Sequence, residues 1–147
     1  MSWIQEHLHQ NSQKPASDRV SRDADFAAAA RRRWQELGRE LHADAAEFNA
    51  HRPGVNFARD GDDAFRVTNT NSGIELTLIA DFDSRIVRYA YSGLDHGGGG
   101  VPEGGMLSMR QARNGQVEFY SADERLTSEE TRQVLLEPML FPRLRAG

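Results

Sequence analysis

The chain has 147 residues and a mass of 16.5 kDa, close to the commonest size of a single domain. Its 38% apolar and 27% charged residues, with a mean hydropathy of -0.67, describe a soluble globular composition and exclude a disordered chain. Cysteine is absent, which removes disulfides, thiolate nucleophiles and thiolate-metal sites together. No apolar run approaches the roughly 18 residues of a membrane-spanning helix, and residues 1–10 lack a basic n-region and an apolar h-region. The expectation is a cytoplasmic protein with no membrane partner.

A net charge of -4 and a pI near 5.7 oppose the basic footprint of a nucleic-acid binder, so no nucleic-acid partner is expected. Lys14 is the only lysine, and so uniform a use of arginine reflects a bacterial-like composition more than a binding site.

In chain order, residues 1–10 pair Trp3 with His7 and Ile4 with Leu8 at helical spacing. The polar, proline-containing stretch from Asn11 to Ser17 reads as a linker, so residues 1–16 form an arm and residues 17–147 a single α+β domain. Ser17 and Ser21 are N-cap candidates for a long helix that Pro53-Gly54 stops. Phe26, Ala30, Trp34, Leu37, Leu41, Ala45 and Phe48 recur in steps of three and four, one apolar stripe. From Ser21 to Ala50 such a helix is roughly 45 Å long, more than a small sheet covers, so an apolar surface at Phe26 and Ala30 is expected to meet a partner.

After Gly54 the period changes to two. Strands are predicted at Ala64–Asn69, Ile74–Ala80, Arg85–Ser92, Met106–Ala112 and Gln116–Ser121, joined by short turns that include a type I′ signal at Asn114-Gly115. Thr127-Ser128-Glu129-Glu130 fits a capping box that opens a C-terminal helix, which Pro138 ends or kinks. Leu135, Leu136, Met139, Leu140 and Phe141 are expected to pack on the sheet. The predicted architecture is a long N-terminal helix, a five-stranded antiparallel meander and a C-terminal helix in a two-layer sandwich. That layout is similar to small α+β chaperone and adaptor domains, including bacterial secretion chaperones, whose helix insertion between strands is replaced here by a glycine loop. The resemblance is one of fold class alone.

The chemistry-bearing motifs are few. His96-Gly97-Gly98-Gly99-Gly100 resembles the oxyanion-hole segment of lipases and esterases, but no G-x-S-x-G nucleophile elbow accompanies it. A phosphate loop fails as well, since a strand follows the glycines and no Gly-Lys-Ser or Gly-Lys-Thr closes it. A small ligand, if bound, would use Asp95, His96, Gly97, Gly98 and Glu103. Glu75 and Glu118 are further acid–base candidates, each more simply read as a solvated residue on a one-sided sheet. His42 flanks the helical stripe and is expected to be partly buried. No His, Asp or Glu spacing fits a metal site, no cofactor is implied, and no catalytic residue can be named. Arg31-Arg32-Arg33, spread about 100° apart on a helix, make no basic stripe.

These readings favour a non-catalytic protein-interaction module, adaptor or chaperone-like, with Trp3, Ile4, Leu8, Phe26 and Ala30 as contact residues. The alternatives are a small-ligand binder or enzyme built on the 93–105 loop and the outer sheet face, and a structural homodimer subunit. A homo-oligomer, most simply a homodimer, is expected, since a two-fold contact would bury the open patches; the alternative is a monomer whose arm folds back on its own sheet.

Overall fold

The computed structural model describes residues 3–93 and 101–141, with side chains described from residue 24 onward. Helix α1 spans Trp3–His51 and strands β1 to β7 span Val55–Arg59, Ala64–Asn69, Ile74–Asp81, Ile86–Gly93, Gly105–Gln111, Val117–Ser121 and Glu124–Arg125. Helix α2, Ser128–Leu140, follows. The strands form one antiparallel sheet in the order of the sequence. No helix among the described residues is long and apolar enough to cross a membrane.

All five predicted strands are present to within a residue at each end, and the sheet has seven strands instead of five. The two additions carry little pattern. β1 offers only Val55 and Phe57 as large apolar residues, directly after a turn, and β7 is two exposed charged residues held by Tyr120↔Arg125 and Ser121↔Glu124 pairing. The β5–β6 connection also departs from a type I′ turn, which needs a left-handed residue at both central positions. Only Gly115 is left-handed (φ 83°). Gly115 N–H donates to Ala112 O at 2.9 Å and Ala112 N–H to Gln116 O at 2.7 Å, a three-residue loop.

Helix α1 starts fourteen residues earlier than the first N-cap candidate, and it runs through the stretch read as a linker. Its 49 residues make it roughly 74 Å long. Proline in a helix loses one N–H and crowds the preceding turn. That is a local cost, and Gln13, Lys14 and Ala16 around Pro15 are helix formers that sustain the helix across it.

The period-two pattern sorts the strands cleanly. The register aligns Phe65, Leu78 and Tyr89 in one row, Val67, Leu76 and Tyr91 in the next, and joins Val87 to Leu107 and Met109 to Phe119. These side chains lie on one face, with both helices packed against it. Trp34 of α1 stacks on Phe65 at 4.2 Å between ring centroids, and its Nε1–H donates to Asp62 O at 2.9 Å. Phe26 and Ala30 are buried within the chain at 2% and 0% exposure, which corrects the expected open surface there. The guanidinium of Arg85, on the β3–β4 turn, covers the Phe26 ring at 4.0 Å and supplies the contact that sequence spacing did not reveal.

Polar side chains close the ends of the elements. The β1 edge is protected by Asn49, whose Oδ1 accepts from the N–H of Gly54 (3.0 Å) and Val55 (2.7 Å) while its Nδ2 donates to Val55 O. Asn49 thus occupies the hydrogen-bonding groups of Val55 that a further strand would take. The capping box forms as predicted, Thr127 Oγ1 accepting from Glu130 N at 3.1 Å and Glu130 Oε1 from Thr127 N at 3.0 Å. At the other end of α2, buried Asn69 donates to Met139 O at 2.9 Å. The helix continues through Pro138 to Leu140.

Candidate functional site

The two helices lie side by side and run in the same direction, since Glu40 meets Ser128 and Asp44 meets Arg132 four residues further along both. Glu40 accepts from Ser128 Oγ and from Arg33 Nη1 at 3.0 Å; Asp44 accepts from Arg132 Nη1 at 2.8 Å. Beyond this pair the helices leave a groove of about 620 Å³. Its apolar lining is Phe48, Leu136, Leu140 and Phe141, and its acidic rim is Asp44, Glu47, Glu129 and Glu137, with His51 at one end.

The groove has a local cause on each helix. Phe48 is the last member of the α1 stripe and only half-buried, packed at the margin of the core. On α2, Leu135, Leu136 and Met139 are buried as expected, but Phe141, past the helix end, is 63% exposed instead of packed on the sheet. Its ring meets Phe48 edge-on at 5.7 Å. The helix period places Glu129, Gln133 and Glu137 on one face of α2, where Gln133 Nε2 donates to Glu137 at 2.9 Å.

The electrostatics are one-sided. Arg132 is the single arginine or lysine of the rim, and it is committed to Asp44. Among the described residues Glu47 and Glu129 make no ion pair. Burial, with the nearby carboxylates Glu47 and Glu40 adding to it, raises Asp44 above the usual aspartate value and outweighs the attraction of Arg132. An apolar floor under an unneutralised acidic rim attracts an amphipathic cation and repels an anion.

A second cleft, of about 920 Å³, lies between α1, β6 and the start of α2. Its carboxylates are all paired, Glu36 and Glu40 with Arg33 at 3.7 Å and 3.0 Å and Glu118 with Arg125 at 3.3 Å, while Arg32 and Arg39 also line it. The contact of Glu118 with Arg125 is an ion pair without hydrogen-bond geometry, since the buried Glu118 Oε2 has no hydrogen-bond partner. The three adjacent arginines diverge, Arg31 to Asp63 at 3.5 Å and Arg33 to Glu40, in keeping with their spread around the helix.

The residues singled out from sequence do not converge. Asp95, His96, Gly97 and Gly98 lie outside the described residues, and Glu103 is exposed ahead of β5. Trp3, Ile4 and Leu8 belong to the first turns of α1, where side chains are not described. Glu75 and Glu118 sit on the outer face three strands apart, Glu75 held by Arg66 at 3.6 Å. His42 is exposed, its ring stacked on Phe57 at 5.2 Å. Among the described residues no three His, Asp or Glu side chains lie close enough to hold a metal ion. The groove residues were missed because their signal is split between two helices 80 residues apart in sequence. The signal that could have found them is the polar face Glu129, Gln133, Glu137 running up to Phe141, a residue that the sequence pattern assigns to the sheet. No protein family, no curated protein and no solved structure matches this chain.

Proposed function

We propose that the chain is a protein-interaction module, adaptor or chaperone-like, that holds a basic segment with an apolar face in the α1–α2 groove. The observation that carries this reading is the pairing of an apolar floor, with Phe141 63% exposed, and a rim of four carboxylates set against one committed arginine. Recognition of this kind lays the apolar stripe of a helix or short peptide into the groove and matches its cations to the rim. The acidic rim selects against anionic segments, because an approaching carboxylate would meet like charge over a low-dielectric floor.

Fluorescence anisotropy with a labelled 14-residue Leu/Lys peptide, leucines at helical spacing, tests the proposal. Binding that weakens with added salt and disappears in a Glu47→Lys/Glu137→Lys variant of unchanged melting temperature is the expected result. Equal binding of a Leu/Glu peptide, or indifference to the charge reversal, would remove the groove from the function.

A further inference from the structure

We propose that the groove's resident occupant is the chain's own segment 142–147, docked in cis, which an external basic segment must displace. This rests on the reading of the groove as a peptide site and names what regulates it.

Residues 142–147 read Pro-Arg-Leu-Arg-Ala-Gly and lie outside the described residues, so they enter the argument by composition and position alone. Their composition is the complement of the groove. Two arginines flank one leucine and no acid is present, against a rim holding Glu47, Glu129 and Glu137 and a floor holding Phe48 and Leu140. Their position is equally specific, because the residue they are tethered to, Phe141, is itself part of the floor. Six extended residues reach about 20 Å, and α2 from Ser128 to Leu140 rises about 18 Å, so residues 142–147 can reach along the groove.

Tethering makes weak attraction sufficient. Tethered directly to Phe141, the segment is held at an effective concentration on the order of millimolar. If its intrinsic dissociation constant is about a tenth of that concentration, an external competitor loses on the order of tenfold in apparent affinity. The external partner must then either bind more tightly or be presented at high local concentration, which turns an open groove into a selective one.

The test uses the full chain. Cysteine is absent, so Gly147→Cys offers a single site for a nitroxide label. Paramagnetic broadening of the amides of Glu47, His51, Gln133 and Glu137 is expected, and its loss when Arg143→Glu/Arg145→Glu is added. In the unlabelled chain the same double substitution should tighten the Leu/Lys peptide by on the order of tenfold. Absence of broadening, or broadening that the charge reversals leave intact, overturns the proposal. Broadening in a mixture of labelled chains with separate isotope-enriched chains would transfer the occupant to a second copy and also overturn it. Broadening with no peptide binding supports this inference and refutes the external-partner reading; equal peptide binding to both forms without broadening does the reverse.

Discussion

The single hydroxyl proton of Tyr91 on β4 is shared between two carbonyls of α2, that of Leu135 at 2.7 Å and, more weakly, that of Val134 at 3.3 Å. Val134 is the residue four before Pro138, and a proline has no N–H to return to that carbonyl. The sheet therefore offers the Val134 carbonyl the weaker branch of a shared donor in place of the N–H that Pro138 lacks, and α2 continues through its internal proline to Leu140. Burial, with a smaller contribution from Tyr89, raises the phenol far above its usual range, so the hydroxyl stays protonated and able to donate.

A double-mutant cycle follows from this geometry. Tyr91→Phe should cost about 1–3 kcal/mol, the penalty for leaving a buried acceptor unpaired. In a Pro138→Ala background residue 138 regains its N–H, so Tyr91→Phe should cost clearly less there. Urea unfolding of the four proteins measures the coupling, and additive costs would mean that the hydroxyl does not serve the Val134 carbonyl.

Gly38 marks the closest approach of α1 to the sheet. A Cβ added there would stand 2.5 Å from Cζ of Phe65, whose fully buried ring is fixed between Trp34 and Phe57. On an exposed helix Gly→Ala gains about 1 kcal/mol. Here overpacking of roughly 1–3 kcal/mol opposes it, so Gly38→Ala should lower the melting temperature. A rise would show that Phe65 can move aside and that the contact is softer than its geometry.

Gly38 also shows where sequence reading stops. The stripe from Phe26 to Phe48 and the alternation in five strands identified the core, because each element carries its period within a few residues. Phe26, Trp34, Leu37, Leu41, Phe65, Leu76 and Leu78 are all buried as that pattern implies. The notch at Gly38, the cover of Phe26 by Arg85 and the role of Asn69 at the end of α2 each join residues distant in sequence, and no local pattern encodes them. The groove belongs to this second kind. Its floor was visible as apolar residues at the end of each helix, but whether Phe141 meets the sheet or solvent depends on how far the sheet extends. The strands β1 and β7 were missed for a related reason: an edge strand is defined by its partner's register, not by its own pattern.

The contact between α1 and the start of α2 carries an acid signature. Burial raises the carboxyl of Glu40, but hydrogen bonds from Ser128 and Arg33, with the charges of Arg33 and Arg132, together outweigh it and hold the group below its ordinary value of 4.5. A depressed folded-state value means that ionised Glu40 stabilises the fold fully above 4.5, and that this contribution is lost as pH falls through the folded-state value. Asp44 one turn on works in the opposite sense. Its raised value means that the ionised form opposes folding above the folded-state value, and protonation relieves that cost as pH falls. Glu40→Gln should therefore be less stable than the parent chain at pH 7, by an amount that is constant down to about pH 5 and then shrinks as the parent's own carboxylate protonates. Urea midpoints of the two proteins, compared in steps from pH 7 to below 4.5, measure that gap. A gap of the same size throughout would assign the loss to packing of the side chain and not to its charge.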